Sequence, residues 1–325
     1  MATAGAKGSN DPAGFSSEEQ ALVRTLRDHL ADSILPGDVP LSEERLGEAA
    51  AFLFEAARER QPDRPSLLIR SAHDGRRFTR FAIINTDMPF LVDSVTAAIA
   101  DEGLAIDMLV HPILPVRRDA EGRLLSIPED AAAGEKRESM IYLETARLDA
   151  KVRRSLEQQI QESLADVRAA VADWPNMRAL LLEDADRLAD AEGAALLRWL
   201  GSDMMTHLGH VTRRRDGTRE HLLGICRVSE QALLADETIE HAFAWFEGSS
   251  GRTGGQPGRA PLIVKANRVS RVHRRIPFDL FIVPLFEEGR IAALSIHAGI
   301  WTSAALATPP SEVPVLRRQL ATLME

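Results

Sequence analysis

The segment from Asn85 to Ser94 brings together the polar groups best suited to hold a small charged ligand. It reads Asn-Thr-Asp-Met-Pro-Phe-Leu-Val-Asp-Ser and lies between a strand-like run and an amphipathic helical pattern. Unpaired N–H groups at a helix start attract a carboxylate, and the carboxylate of Asp87 could hold an ammonium group. An amino acid carries both groups. In a competing interpretation, Asp87 only caps the helix and the loop binds nothing.

The candidate effector-binding residues all belong to this segment. They are Asn85, Asp87, Met88, Pro89, Phe90 and Asp93.

Two further features resemble binding motifs but have simpler explanations. His207 and His210 have a spacing that suits metal ligands on a helix. They fall at a strand-like run, where residues three apart point to opposite faces. The glycine-rich run 251–258 contains neither a Walker lysine nor a dinucleotide fingerprint, which favours a flexible loop. The sequence thus predicts no metal site and no bound cofactor.

Basic side chains also offer no catalytic site. The clusters at 213–215 and 271–275 could meet an anion or an acidic partner, but they fit a solvated strand edge better. Lys265, beside an apolar strand, could in principle be a base with a lowered pKa. Its motif contains neither a companion acid nor a cofactor motif, so it does not indicate catalysis. No catalytic residue is therefore assigned.

Composition narrows the class of protein. The chain has 325 residues, 45% hydrophobic and 27% charged, which allows two or three folded domains. A net charge of −9 argues against nucleic-acid and anionic-membrane partners. The single cysteine, Cys226, cannot form an intrachain disulfide. No apolar run reaches the roughly 18 residues of a membrane span. We expect a soluble cytoplasmic protein.

Hydrophobic periodicity predicts the elements that position the loop. Helical patterns cover 16–60, broken at Pro36-Gly37, and a helix is expected over 90–102. A second, long helix begins near Asp149, and Trp174-Pro175 separates it from another that ends near Trp199. The strands predicted around these helices are 66–72, 78–85, 106–117, 122–127 and 138–146.

The second half of the chain is expected to be rich in strands. A hairpin forms around Asp216-Gly217, and a terminal helix begins at Ser311. The predicted strands are 206–214, 221–228, 262–265, 278–286 and 291–296. Both halves suit antiparallel sheets with helices on one face.

The sequence of Asn85–Ser94 resembles part of an ACT domain. The later segments Val110-His-Pro-Ile and Glu138-Ser-Met-Ile-Tyr-Leu-Glu continue this resemblance. In particular it is similar to the N-terminal region of the large bacterial NAD-dependent glutamate dehydrogenases. The similarity continues collinearly downstream. It includes Leu196–His210, Leu223–Arg227 and Ser270–Asp279.

The resemblance implies an α+β fold of tandem ACT-like, ferredoxin-type βαββαβ sandwiches after an N-terminal helical segment. The predicted divisions are a disordered tail (1–15), a helical segment (16–62), a first ACT-like domain (63–175) and a second one (176–325) with a Gly-rich loop at 248–258.

The resemblance also implies a non-catalytic role in regulation and oligomerisation. Glutamate and NAD would bind in a C-terminal catalytic region outside this chain, so no cofactor is expected here. The implied partners are other copies of the chain, that catalytic region and an amino-acid effector. Typical amino-acid-binding ACT loops have glycine after the proline; Phe90 stands there, which favours assembly over effector binding. The alternative is a free-standing amino-acid sensor that acts on a separate partner.

Overall fold

A computed structural model of the chain describes residues 14–37, 39–130, 136–229, 233–248 and 260–324. These residues form two compact units. The first runs to Met88 and resumes over Ile99–Gln161, and the second comprises Pro89–Ala98 and the chain from Glu162 onward. No helix in these ranges is both long and apolar enough to cross a membrane.

The first unit begins with two capped helices. α1 (Ser17–Asp32) starts at a capping box in which the Ser16 side chain accepts from the Glu19 N–H and Glu19 accepts from the Ser16 N–H. α2 (Glu43–Ala57) is capped by Ser42. The apolar faces of both helices join a core with the first sheet, as the periodicity predicts.

The strands of the first unit are all antiparallel to their partners. They are β1 (Ser66–His73), β2 (Arg77–Thr86), β3 (Ile106–Val110), β4 (Ile113–Pro115), β5 (Arg117–Arg118), β6 (Leu124–Ser126) and β7 (Arg137–Ala146). The main sheet has the order β1-β2-β7-β3, and β4 also pairs with β7. β5 and β6 form a separate two-stranded ribbon.

The predicted strand 106–117 is wrong in one respect, because the structure divides it into β3, β4 and β5. Pro112 lies at the first break and has no N–H to donate to β7, although its carbonyl accepts from the Met140 N–H. The predicted strand 122–127 is shorter, at Leu124–Ser126.

Two helices supply residues to both units. α3 (Leu91–Asp101) follows β2, and α4 (Ala150–Arg187) follows β7. The predicted break at Trp174-Pro175 is wrong, because α4 is a single helix of 38 residues that includes Pro175. Proline disfavours a helix interior but does not always end a helix. Along the chain, the order β2, α3, β3, β7 and α4 agrees with the ACT-like succession of strands and helices.

The second unit contains a five-stranded antiparallel sheet. Its strands are β8 (Met205–Arg214), β9 (Arg219–Gly224), β10 (Leu262–Val269), β11 (Pro277–Glu287) and β12 (Arg290–Trp301). Its helices are α5 (Ala191–Trp199), α6 (Ile225–Val228), α7 (Asp236–Gly248), α8 (Ser303–Ala307) and α9 (Leu316–Met324). An irregular turn, Leu200–Met204, joins α5 to β8.

The strand order of this sheet is β10-β11-β12-β8-β9. β8 turns directly into β9, whereas a βαββαβ module places a helix after its first strand. The order therefore differs from the ferredoxin-type order predicted for a second ACT-like domain. The predicted strand 221–228 also ends early at Gly224, whose φ of +59° turns the chain into α6.

Two predicted segments fall outside the described residues. They are the tail 1–15, apart from its last two residues, and the Gly-rich loop 248–258, apart from Gly248.

Candidate functional site

The six predicted effector-binding residues are divided between the two compact units. Asn85, Asp87 and Met88 belong to the first unit. Pro89, Phe90 and Asp93 belong to the second unit. Each set has its own neighbours.

Asn85 is the last residue but one of β2 and is a buried polar residue opposite Ser139 of β7. Its side-chain Nδ2 donates to the carbonyl oxygen of Thr86 at 2.9 Å. Its Oδ1 is buried and accepts no hydrogen bond from the described residues. Such an acceptor favours a donor group if one can reach it.

Asp87 follows with an exposed carboxylate, and its backbone N–H donates to the carbonyl of Arg137 at 2.9 Å. Nearby His111 lies 2.6 Å, Nε2 to Oγ, from Ser139. Burial lowers the pKa of His111, while the charge of Asp87 acts in the opposite direction. The first unit thus groups Asn85, Asp87, His111 and Ser139 beyond the end of β2.

This group has polar contacts without the geometry of a hydrolase. The distance between Ser139 and His111 is that of a nucleophile and its base. However, the Ser139 side chain is only 1% exposed, so no substrate carbonyl reaches its hydroxyl. What the group offers a ligand is the exposed carboxylate of Asp87, which can receive an ammonium group.

Phe90 and Asp93, in the second unit, both contact His273. The ring centroids of Phe90 and His273 are 5.2 Å apart. The Oδ2 of Asp93 lies 2.7 Å from Nδ1 of His273. Next to it, the His273 N–H donates to the Oγ of Ser94 at 3.0 Å. Asp93 therefore already has a partner and is less available to a ligand than Asp87.

Phe90 adopts a backbone conformation that glycine tolerates best. Its φ is +72°, in the left-handed region that a bulky residue rarely enters. Phe90 stands where the resemblance to amino-acid-binding ACT loops predicts glycine. The structure shows that this position keeps the conformation that glycine would adopt.

The basic cluster 271–275 is engaged within the second unit. Arg271 lies 2.8 Å from the carboxylate of Glu162 and 3.7 Å from that of Asp166. Arg274 donates to the carbonyl of Trp301. Lys265 does have a companion acid, because Asp279 lies opposite it in the sheet at 2.7 Å. This pair could not be predicted from the sequence, because a local motif does not show which residues lie opposite each other on two strands.

His207 and His210, whose spacing suits metal ligands on a helix, have different surroundings. His207 belongs to no cluster of three or more potential metal ligands among the described residues. His210 lies 3.2 Å, Nδ1 to Nδ1, from His297 of β12. Burial and then the neighbouring His297 lower the pKa of His210, so this imidazole is neutral.

His297 extends this contact to α4, with its Nε2 2.8 Å from the carboxylate of Asp184. Burial tends to raise the pKa of Asp184, but the hydrogen bond and charge of His297 outweigh it and the net shift is downward. The sequence did not reveal this buried array, because its members are 87 and 113 residues apart.

The comparisons with known proteins agree with the sequence resemblance. Residues 31–160 match the family model described as glutamate dehydrogenase, ACT1 domain. The NAD-specific glutamate dehydrogenase of Pseudomonas aeruginosa is 30% identical over 274 residues. That of Halomonas elongata is 29% identical over 278 residues. Each alignment covers 76% of this chain and 16% of the relative, so the chain spans about a sixth of their length.

A solved structure of an RNA-binding light-oxygen-voltage receptor aligns over 91% of this chain and 95% of its own, at 12% identity. Its TM-score of 0.20 does not indicate a common fold. Residues 31–160 thus match the glutamate dehydrogenase ACT1 family, within a chain that is similar to the NAD-specific glutamate dehydrogenases over 76% of its length.

Proposed function

We propose that this chain is a regulatory and assembly segment of an NAD-dependent glutamate dehydrogenase and does not carry the catalytic site. The observation that carries the proposal is the ACT1 match over residues 31–160 within a longer similarity to these enzymes. The complete enzyme would convert L-glutamate, NAD and water to 2-oxoglutarate, ammonia and NADH. Glutamate and NAD would bind in a part of the enzyme outside this chain.

Asp87, which follows β2, supports a regulatory role. It offers an exposed carboxylate to the ammonium group of a ligand. An amino-acid effector would place its ammonium group at Asp87. Regulation also requires that the effector bind two states of the enzyme with different affinities.

Surface features of the chain support an assembly role. β1 is an edge strand of the first sheet, and edge strands can pair with a strand of another copy. In the second unit, α9 buries none of its residues. Leu316, Leu320 and Leu323 recur along α9 at helical spacing and are all exposed. Such an apolar stripe is typical of a helix that packs against a partner.

The proposal is tested by following NADH formation when the purified chain is mixed with L-glutamate and NAD. The Pseudomonas aeruginosa relative, assayed under the same conditions, serves as the positive control. We expect no NADH above the blank from this chain. Turnover that rises in proportion to its concentration would overturn the proposal.

A further inference from the structure

A cavity of about 350 Å³ lies within the second unit. Its lining includes Phe90, Trp174, Asp203, Met205, His207 and Thr302. The volume falls within the range of small-molecule sites. The lining is mainly apolar, and its few polar groups come from separate elements that converge on one space.

His207 is the most informative of these polar groups. Its side chain is only 4% exposed, and its Nε2 is buried without a hydrogen-bond partner among the described residues. Burial first, and then the charges of His297 and Arg178, lower the pKa of His207 to about 4. The imidazole is therefore neutral at physiological pH and offers one N–H donor and one acceptor nitrogen. Leaving a buried polar atom without a partner is unfavourable, which favours a ligand that supplies one.

The backbone around the cavity supports a binding role independently. Six described residues other than glycine have positive φ, and two of them line this cavity. They are Phe90 at +72° and Asp203 at +64°. A third, His273 at +62°, packs against Phe90. Strained conformations of this kind concentrate at functional sites.

The walls of the cavity indicate which chemistry would fit. Trp174 of α4 is 39% exposed although it is a large aromatic side chain, and Phe90 and Met205 add apolar surface. Aromatic rings pack favourably against such side chains. Asp203 is exposed and places a carboxylate at the same cavity, where a positively charged substituent would be favoured.

We propose that this cavity binds a small aromatic molecule whose ring carries a hydrogen-bonding group that pairs with His207. Phe90, Trp174 and Met205 hold the ring, and Asp203 favours a ligand with a positively charged side group over one with a negative group. The site goes beyond the assignment to glutamate dehydrogenase. Its test is a binding measurement, so it can succeed or fail independently of any dehydrogenase activity.

The test uses isothermal titration calorimetry of the whole chain with two matched probes. Indole has a ring N–H, and 1-methylindole has the same ring without that donor. We expect indole to bind about tenfold more tightly, the factor that one hydrogen bond of ordinary net strength provides. In His207→Leu this preference should disappear.

A second variant keeps the test valid if His207→Leu does not fold. Trp174→Ala removes a partly exposed wall of the cavity and should weaken indole binding about tenfold or more. Trp245→Ala is the matched control, because Trp245 is similarly exposed at 41% but does not line the cavity. It should leave the affinity unchanged.

Three results would overturn the proposal. The first is that indole gives no binding heat up to its solubility limit. The second is that indole binds with equal affinity to the unmodified chain and to Trp174→Ala. The third is that only Trp245→Ala abolishes binding, which would place the ligand elsewhere.

Discussion

At the scale of single residues, Phe90 combines an unfavourable backbone conformation with favourable ring contacts. Its φ of +72° costs an ordinary residue about 1 kcal/mol relative to glycine. Phe90→Ala and Phe90→Gly lose the same ring contact with His273, so their difference isolates the backbone. We expect Phe90→Gly to be more stable than Phe90→Ala by about 1 kcal/mol in denaturant unfolding.

A control within α3 should show the opposite sign. Ala97 lies inside the helix, where Ala97→Gly is expected to cost about 1 kcal/mol. If Phe90→Gly were instead less stable than Phe90→Ala, position 90 would not require the left-handed conformation.

His207 gives a second residue-scale prediction, on pH. Its pKa is about 4 in the folded chain and 6.5 when unperturbed, mainly because of burial. Between these values the unfolded chain binds more protons, so stability is full above pH 6.5 and falls as the pH drops toward 4. The contribution of His207 to this loss is on the order of 3 kcal/mol.

The measurement is denaturant unfolding of the unmodified chain and of His207→Gln across this range. The variant should lose less stability on acidification. An identical pH dependence in both proteins would show that His207 is not held neutral by the fold.

Part of the candidate site can be predicted from the sequence, and part cannot. The local motif 85–94 predicts Asn85, Asp87 and Phe90 as effector-binding residues, and this stays a prediction. The positive φ of Phe90 and the partnership of Asp93 with His273 were not predictable. Asp93 and His273 are 180 positions apart in the chain, and local periodicity carries no information about such contacts.

At the scale of elements, β7 is held by a buried ion-pair network. Glu138 lies 2.6 Å from Arg60 and 2.7 Å from Arg118, and none of the three side chains is more than 10% exposed. Burial tends to raise the pKa of Glu138, but the hydrogen bonds and charges of Arg118 and Arg60 outweigh it and the pKa is lowered. The ion pairs with Arg60 and Arg118 therefore keep the Glu138 carboxylate charged although it is buried.

We predict that Glu138→Ala destabilises the first unit by about 3–5 kcal/mol, because it leaves two guanidinium groups without their buried partner. Glu183→Ala is the control. Its partner Arg187 is 3.3 Å away and both side chains are more than half exposed, so the change should be within about 1 kcal/mol. Equal melting-curve shifts in the two variants would show that the Glu138 network contributes no more than a surface pair.

Several elements were predictable because their signals are local. The break between α1 and α2 around Pro36-Gly37 and the Asp216-Gly217 hairpin turn are examples. Predictions were wrong where contacts between distant parts of the chain determine the structure. Pro175 does not end α4. The order of strands in the second sheet follows from pairings such as β12 with β8, whose residues lie far apart in the sequence.

At the scale of the whole molecule, the described residues form two compact units that separate before α3 and again within α3 and α4. The predicted division into 1–15, 16–62, 63–175 and 176–325 stays a prediction. A helical pattern shows where a helix lies, but not which core each of its turns joins.

Self-association of the chain tests the assembly claim most directly. The protomer mass is 35.7 kDa, and sedimentation equilibrium over a range of concentrations gives the mass in solution. We predict a species of at least twice the protomer mass, formed through the edge strand β1 or the apolar stripe of α9. A mass of one protomer at every concentration would contradict the proposed role of this segment in assembly.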